Sequence, residues 1–352
     1  MNSPSICFDP SRPAPAARVP DGLTVRIVHR ADAAFPFLHD TVIVPLDGRL
    51  FMAWYNCSEN EIVGRTLIRG RWSADGAQSW SEPQVVAEDR LPQHLHCVPA
   101  TFEQCEEGIF AYVTLMSAHD RPVGYMRLVY EKGAWRELDR LDDPVLFNTL
   151  PVRLADGTRI AGGRMARRAG ELPLIPVVLR ADGEAPSAWR AVRLPGPWEQ
   201  DAYPLDYPET ALIVNGGRLT ALCRNDHGPC WAYESEDGGQ TFSAPFEISL
   251  PIEPAKLYAG VLSTGREYLI FNQRTQARDR SRLVMAARDK GGAFDSLYLL
   301  RDGADAALDA GPYWHYPCAC EMDGRLYISC TSSSPGTPVR HAALISVPVG
   351  QL

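Results

Sequence analysis

The eight-residue segment Ser235-Glu236-Asp237-Gly238-Gly239-Gln240-Thr241-Phe242 returns in weaker form as Ser73 to Trp80 and again as Ala287 to Phe294. Two further segments, ending at Trp135 and Trp189, keep the closing aromatic and part of the turn. The closing aromatics Trp80, Trp135, Trp189, Phe242 and Phe294 are 55, 54, 53 and 52 residues apart. A period this regular implies equal structural units, each needing its neighbours to cover its apolar face.

A second signal has the same period. A β-rich run, a glycine turn and another β-rich run recur, as in Thr41 to Val44, Asp47-Gly48 and Leu50 to Tyr55. The turn glycines are Gly48, Gly108, Gly157, Gly217, Gly265 and Gly324, so the chain contains six units. Each unit reads as about four short strands bounded by Gly, Pro, Asn and Asp, with almost no 3.6-residue periodicity. Four-stranded antiparallel sheets repeated radially make an all-β, six-bladed β-propeller, which protects its strand edges by closing into a ring. The tail from His341 to Val347 shares a blade with Leu23 to Val28 and so joins the two ends. No linker interrupts residues 23–352, so a single propeller follows a Pro- and Ala-rich leader at 1–22, although 352 residues would ordinarily suggest about two domains.

The turn pattern S-x-D-x-G-x-x-[WF] is the Asp box, and with six units the chain resembles the sialidase (neuraminidase) propeller superfamily over nearly its whole length. Asp75, Asp237 and Asp289 are turn-forming residues in this pattern, where Asp and Ser side chains bond backbone amides and the aromatic packs between sheets. They have no catalytic role.

In a propeller the innermost strands start near the axis on one face, so residues far apart in sequence meet there. Eight to ten residues before the turn glycines stand His39/Asp40, Phe147/Asn148, Pro208/Glu209, Lys256/Leu257 and His315/Tyr316. In the second unit, allowing for a longer turn, the matching residue is His96. Polar and titratable side chains are concentrated at a position where a purely structural repeat would carry interchangeable residues.

The resemblance assigns roles to some of them. Sialidases use a Tyr nucleophile paired with a Glu, an acid/base carboxylate, and three arginines that clamp the substrate carboxylate. Tyr316 resembles the nucleophile, Glu209 its partner, and Arg224 and Arg274 the second and third clamp arginines. Glu61, or Glu59, lies where the acid/base carboxylate is expected. The first clamp arginine is missing: the aligned stretch reads Leu38-His39-Asp40-Thr41-Val42. His39 and Asp40 therefore join the catalytic candidates Tyr316, Glu209 and Glu61. Arg224, Arg274, His96, Asn148 and His315 are the candidates for substrate binding.

Three functions follow. One is an exo-acting glycosidase on an acidic or hydroxyl-rich sugar, the loss of one arginine setting it apart from a standard sialidase. A second is a His/Tyr lyase or unusual glycosidase on uronate glycans, with a neutral His39, His96 or His315 as base. A third is a glycan-binding propeller that stacks sugars on Trp54, Tyr203, Tyr313 and Trp314. The axial His39, Asp40, His94, His96 and His315 raise metal binding as a side possibility, but no ligand-spacing motif supports it, and no cofactor is expected.

Composition narrows the partners. With 35 Lys+Arg against 43 Asp+Glu, a net charge of -8 repels nucleic acid and anionic membranes, so an acidic substrate requires a local arginine cluster. The start has no basic segment followed by an apolar one, and no run spans a membrane. Nine scattered cysteines fit reduced thiols, and the expectation is a cytoplasmic protein of unspecified oligomeric state acting on a small-molecule glycan.

Overall fold

A computed structural model of the chain describes residues 6–183, 185–196, 205–337 and 339–352. After β1 (Thr24–Arg30), blade one comprises β2 (Phe37–Leu46), β3 (Arg49–Cys57), β4 (Thr66–Ser73) and β5 (Gln84–Glu88). Blade two comprises β6 (His96–Cys105), β7 (Gly108–Ala118), β8 (Arg121–Glu131) and β9 (Ala134–Leu141). In blade three, β10 (Val145–Phe147) and β11 (Val152–Arg153) both pair with β12 (Arg159–Ala166) as two halves of one interrupted innermost strand, followed by β13 (Leu174–Ala181) and β14 (Arg190–Arg193).

Blade four comprises β15 (Thr210–Asn215), β16 (Arg218–Cys223), β17 (Trp231–Ser235) and β18 (Phe246–Glu247), and blade five β19 (Tyr258–Val261), β20 (Glu267–Asn272), β21 (Arg282–Arg288) and β22 (Ser296–Asp302). Blade six comprises β23 (Tyr313–Met322), β24 (Arg325–Ser333) and β25 (Arg340–Pro348), with β1 as its outermost strand, antiparallel to β25. All sheets are antiparallel meanders, so the chain is a six-bladed propeller whose ends meet in one blade.

Burial runs outward along each blade. Nine of the ten residues of β2 are buried, because an innermost strand has a neighbouring blade on each face. β2 packs on both β6 and β23, and β15 on β19. By contrast β9, an outermost strand, has no fully buried residue. The apolar residues between the blades form the core, with Phe51, Trp72, Phe102 and Trp135 interlocked between blades one and two.

The turns follow their residues. Asp47-Gly48 and Asp323-Gly324 have both central residues at positive φ (51° and 66°; 50° and 70°), the geometry that fits two-residue hairpins. In the fourth unit the residue at positive φ is Gly216, one position before the glycine singled out by the repeat. The Asp boxes act as turn devices: Asp237 Oδ1 accepts from Ser235 Oγ at 2.8 Å and from the amides of Gln240 and Thr241 at 3.0 Å, and Asp75 repeats the pattern. These bonds pull the Asp75 carboxyl down to about 2. In the third copy Ala287 replaces the serine, and a backbone bond from Gly292 to Asp289 closes the turn. Residues 6–18 lie along blade five, with Ile6 buried and Phe8 and Arg18 bridging Phe294 and Tyr298.

Among the described residues the helical structure is one 3-10 turn, Val349–Gln351, and no helix is long and apolar enough to cross a membrane.

Candidate functional site

The innermost strands of blades one and six carry equivalent bulges. The register passes from His39↔Tyr55 to Val42↔Ala53, and from His315↔Thr331 to Cys318↔Ser329, so Asp40 and Tyr316 are extra residues in their ladders. Both adopt positive φ, 48° and 59°, a conformation that costs a non-glycine residue about 1–3 kcal/mol. Bulges re-aim side chains, and here they turn Asp40 and Tyr316 toward the axis. Both line a cavity of about 220 Å³ together with His39, Tyr55, Glu61, His119, Asp120, Arg164, Arg224, Arg280 and Arg340.

Glu209 and Arg224 extend the β15–β16 ladder by one step, since Arg224 N–H donates to Glu209 C=O at 2.9 Å. That register places their side chains next to each other: Arg224 Nη1 donates to Glu209 Oε2 at 2.8 Å and to the Tyr316 hydroxyl at 3.4 Å. Arg224 Nε bonds Asp226 at 3.0 Å, and the guanidinium lies 4.8 Å from the Tyr207 ring centre. Arg164 Nη2 approaches Asp120 at 3.4 Å and Glu209 at 3.9 Å. Burial alone would raise the Glu209 carboxyl, but Arg224, Arg164 and Lys256 outweigh it and hold the group below its usual range, ionised at neutral pH.

Desolvation and the Glu209 charge push the Tyr316 phenol well above its usual value, against the pull of Arg224, Arg280 and Arg164. Its ring is 4.1 Å from that of His39, with Lys256 Nζ and Arg280 5.7 and 5.9 Å from its centre. The buried Lys256 ammonium is paired with Asp40. Burial raises the Asp40 carboxyl despite that partner. His39 Nδ1 shares a 2.9 Å hydrogen bond with Thr331 Oγ1, linking blades one and six. Burial, reinforced by nearby cations, holds both His39 and His315 well below the usual imidazole range, so both are neutral at pH 7.

At the cavity mouth, Tyr55 donates to Glu61 Oε1 at 3.1 Å, and Arg340 lies 3.7 Å from Oε2. His119 pairs with Asp120 at 2.8 Å; that bond raises the imidazole, whereas Asp120, despite burial, is lowered by Arg164 and His119. Arg280 donates to Pro254 C=O at 3.1 Å and has no carboxylate within 4.0 Å among the described residues. A second compartment of about 610 Å³ adjoins the first through Tyr207, Arg224, Arg280 and Arg340, and is walled by His315, Tyr313 and Glu253.

The cavity thus brings together Tyr316, Glu209, His39, Asp40, Glu61 and Arg224, with His315 lining the neighbouring compartment. Three expected binding residues lie elsewhere. Arg274 is half exposed and tied to Glu253 at 3.0 Å, outside both compartments, because the loop after β20 swings outward at this point and returns with Arg280. His96 is bonded to Thr66 at 3.0 Å, and Pro99 takes its place on the cavity wall, at the ordinary distance of nine residues before Gly108. Asn148 accepts from the Thr210 amide at 3.2 Å and ties blade three to blade four.

Of the aromatics considered for sugar stacking, Trp54 and Trp314 are 1% and 0% exposed and belong to the core, whereas Tyr313 lines the second compartment. Tyr203 lies outside the described residues. Among the described residues no cluster of three or more His, Cys, Asp or Glu side chains is arranged to hold a metal.

Arg164, Asp120, Arg280 and Arg340 escaped the sequence reading. For Arg164 a signal existed: it stands seven residues after Gly157, as Arg224 stands seven after Gly217 and Tyr55 seven after Gly48. These positions lie within two residues of the end of the strand that follows the innermost one's turn, on the same face as the start of the innermost strand.

The model of the BNR repeat-like domain matches residues 48–328. No curated protein matches the sequence. Among solved structures, a mutant of Trypanosoma rangeli sialidase displaying trans-sialidase activity superposes with a TM-score of 0.72 at 12% identity, covering 96% of this chain and 60% of that one. The K499G mutant of NanB sialidase from Streptococcus pneumoniae gives 0.70 at 9% identity, covering 93% and 71%. A protein of unknown function from Dyadobacter fermentans gives 0.67 at 14%, covering 93% of this chain and all of that one. The chain therefore spans about 60% of the length of the trypanosomal enzyme, and at these identities the likeness is one of fold.

Proposed function

Because the chain belongs to the BNR repeat-like domain family and is a sialidase-like propeller, we propose that it is an exo-acting glycosidase that releases a sugar bearing a carboxylate. The observation that carries this reading is the grouping of the Tyr316 hydroxyl and the Glu209 carboxylate on one Arg224 nitrogen, in a cavity where Arg280 has no carboxylate within 4.0 Å among the described residues.

Arg280, with Arg224 and Arg340, takes the substrate carboxylate; guanidinium groups suit that planar anion. Tyr316 Oη attacks the anomeric carbon as its proton passes to Glu209, which removes the obstacle of a phenol that does not ionise by itself. Glu61 gives a proton to the departing glycosidic oxygen and then takes one from the water that cleaves the glycosyl–tyrosine bond. The inner compartment, below the ~300 Å³ lower end of drug-sized sites, suits one sugar ring. Nine cysteines with no disulfide between them among the described residues support a reducing compartment, and we place the protein in the cytoplasm.

A second reading rests on His39, neutral and with its ring 4.1 Å from that of Tyr316 at a tilt of 50°. On a uronate glycan it would remove the C5 proton while Tyr316 protonates the leaving O4, the C4–O4 bond breaks and a C4=C5 double bond forms. A panel of sialosides and uronate glycans, followed by reducing-sugar release and near-ultraviolet absorbance in parallel, separates the two. Hydrolysis gives reducing sugar without absorbance, whereas elimination gives both. Tyr316→Phe should lower either activity by at least ~10³-fold. Retention of activity by Tyr316→Phe, or no product from any acidic glycan, refutes the assignment.

A further inference from the structure

The four arginines of the cavity come from four successive blades: Arg164 from blade three, Arg224 from four, Arg280 from five and Arg340 from six. They do not have the same capacity. Arg280 has no carboxylate within 4.0 Å among the described residues, so its charge is open to an anion. The charge of Arg164 is already offset from two sides, by Asp120 at 3.4 Å and Glu209 at 3.9 Å. What Arg164 lacks is hydrogen-bond acceptors. Among the described residues its Nε and Nη1 are buried with no partner, although the side chain is only 10% exposed and lines the cavity. A guanidinium cannot shed its protons, and a buried donor left unmatched forgoes the hydrogen bond it makes in water.

An anion placed at these two nitrogens would face the carboxylates of Asp120 and Glu209. An uncharged oxygen would satisfy the donors without that repulsion. Building on the acidic-sugar reading above, we infer that Arg164 binds a neutral acceptor of the substrate, a hydroxyl or acyl carbonyl oxygen on the ring edge remote from the carboxylate. The site then takes a sugar acid that is also oxygenated on its far edge, and Arg164 discriminates against rings that carry the carboxylate alone. Arg280 reads charge and Arg164 reads an oxygen, on walls contributed by different blades.

Calorimetric titration of the full chain, as Tyr316→Phe to prevent turnover, tests this with three probes: N-acetylneuraminic acid, glucuronic acid and tetrahydropyran-2-carboxylate, which keeps the ring and the charge but has no other oxygenated substituent. Arg164→Lys retains a positive charge between Asp120 and Glu209 but loses the forked donors. It should weaken at least one sugar acid by about 10- to 100-fold and tetrahydropyran-2-carboxylate by less than about twofold. Should Arg164→Lys not fold, Arg164→Gln combined with Asp120→Asn keeps the charge balance and carries the same expectation. Equal weakening of every probe that binds would place Arg164 in the carboxylate clamp and overturn the inference. So would unchanged binding of the sugar acids, which leaves the acidic-sugar reading standing. Failure of all three to bind the Tyr316→Phe protein overturns both.

Discussion

Mild acid should loosen this propeller before its depressed carboxylates titrate. Three histidines are held neutral by the fold: His29, brought down to about 4 by burial with help from Arg69 and Arg71, and His39 and His315, both driven well below 6.5 by burial. In the unfolded chain each takes up a proton near pH 6.5. A group whose folded value is depressed gives its full stabilisation above the unfolded value and loses it as the pH falls through that window. Each histidine therefore costs about 1.4 kcal/mol per pH unit below ~6.5, or about 2 kcal/mol between pH 7 and pH 5. For the three together the loss is about 6 kcal/mol, comparable with the whole stability of many domains. At ~2.1 cal/mol/K per residue, an unfolding entropy for 352 residues of ~0.74 kcal/mol/K turns this into a fall in Tm of about 8 °C. His119 works in the opposite direction, because Asp120 raises it, but it is half exposed and its effect is correspondingly screened. Depressed carboxylates such as Glu209 and Asp120 lose their contribution only below pH ~4.5. Scanning calorimetry at pH 7, 6 and 5 measures the slope, and His39→Gln should remove about a third of it. A Tm constant to within ~2 °C across this range, or a slope that His39→Gln leaves unchanged, would refute the claim that these imidazoles stay neutral in the folded protein.

Two further outcomes follow from the site and the turns. Arg280→Met removes a guanidinium that has no carboxylate partner among the described residues, so it strands none of their charges; KM for an acidic substrate should rise about 10- to 100-fold with a smaller change in kcat, and an unchanged KM would exclude Arg280 from the clamp. Asp237→Ala deletes the acceptor for two turn amides and two hydroxyls; it should lower Tm by a few degrees in a thermal melt while kcat stays unchanged, and a large loss of kcat would contradict a purely structural Asp box.

The propeller was legible because its period is carried by local chemistry. A glycine turn or an Asp box folds in the same way wherever it occurs, so a count of glycines and aromatics along the chain is also a count of blades. The same count placed Asp40, Glu209 and Tyr316, since a strand of fixed rise starts a fixed number of residues before its turn. Extending it forward would have found Arg164. It did not find Arg280 or Asp120, whose positions are set by loops, and loop paths depend on contacts distant in sequence, such as Arg280 with Pro254. Arg274 is the third clamp arginine by resemblance alone, and Glu253 holds it outside the cavity. His96 failed for a different reason: a special allowance was made for the second turn, whereas the plain count leads to Pro99.

The pairing of β1 with β25 has a consequence for how the molecule comes into being on the ribosome. Thr24 meets Ser346, so β1 waits for β25, and the sixth sheet cannot be assembled until β25 has been made. Tyr316 and Arg340 are contributed by that sheet, so a nascent chain stalled anywhere earlier has an incomplete cavity. A chain truncated before β25 would accordingly lose the keystone of an arch, leaving β1 as a bare edge ready to recruit a foreign strand.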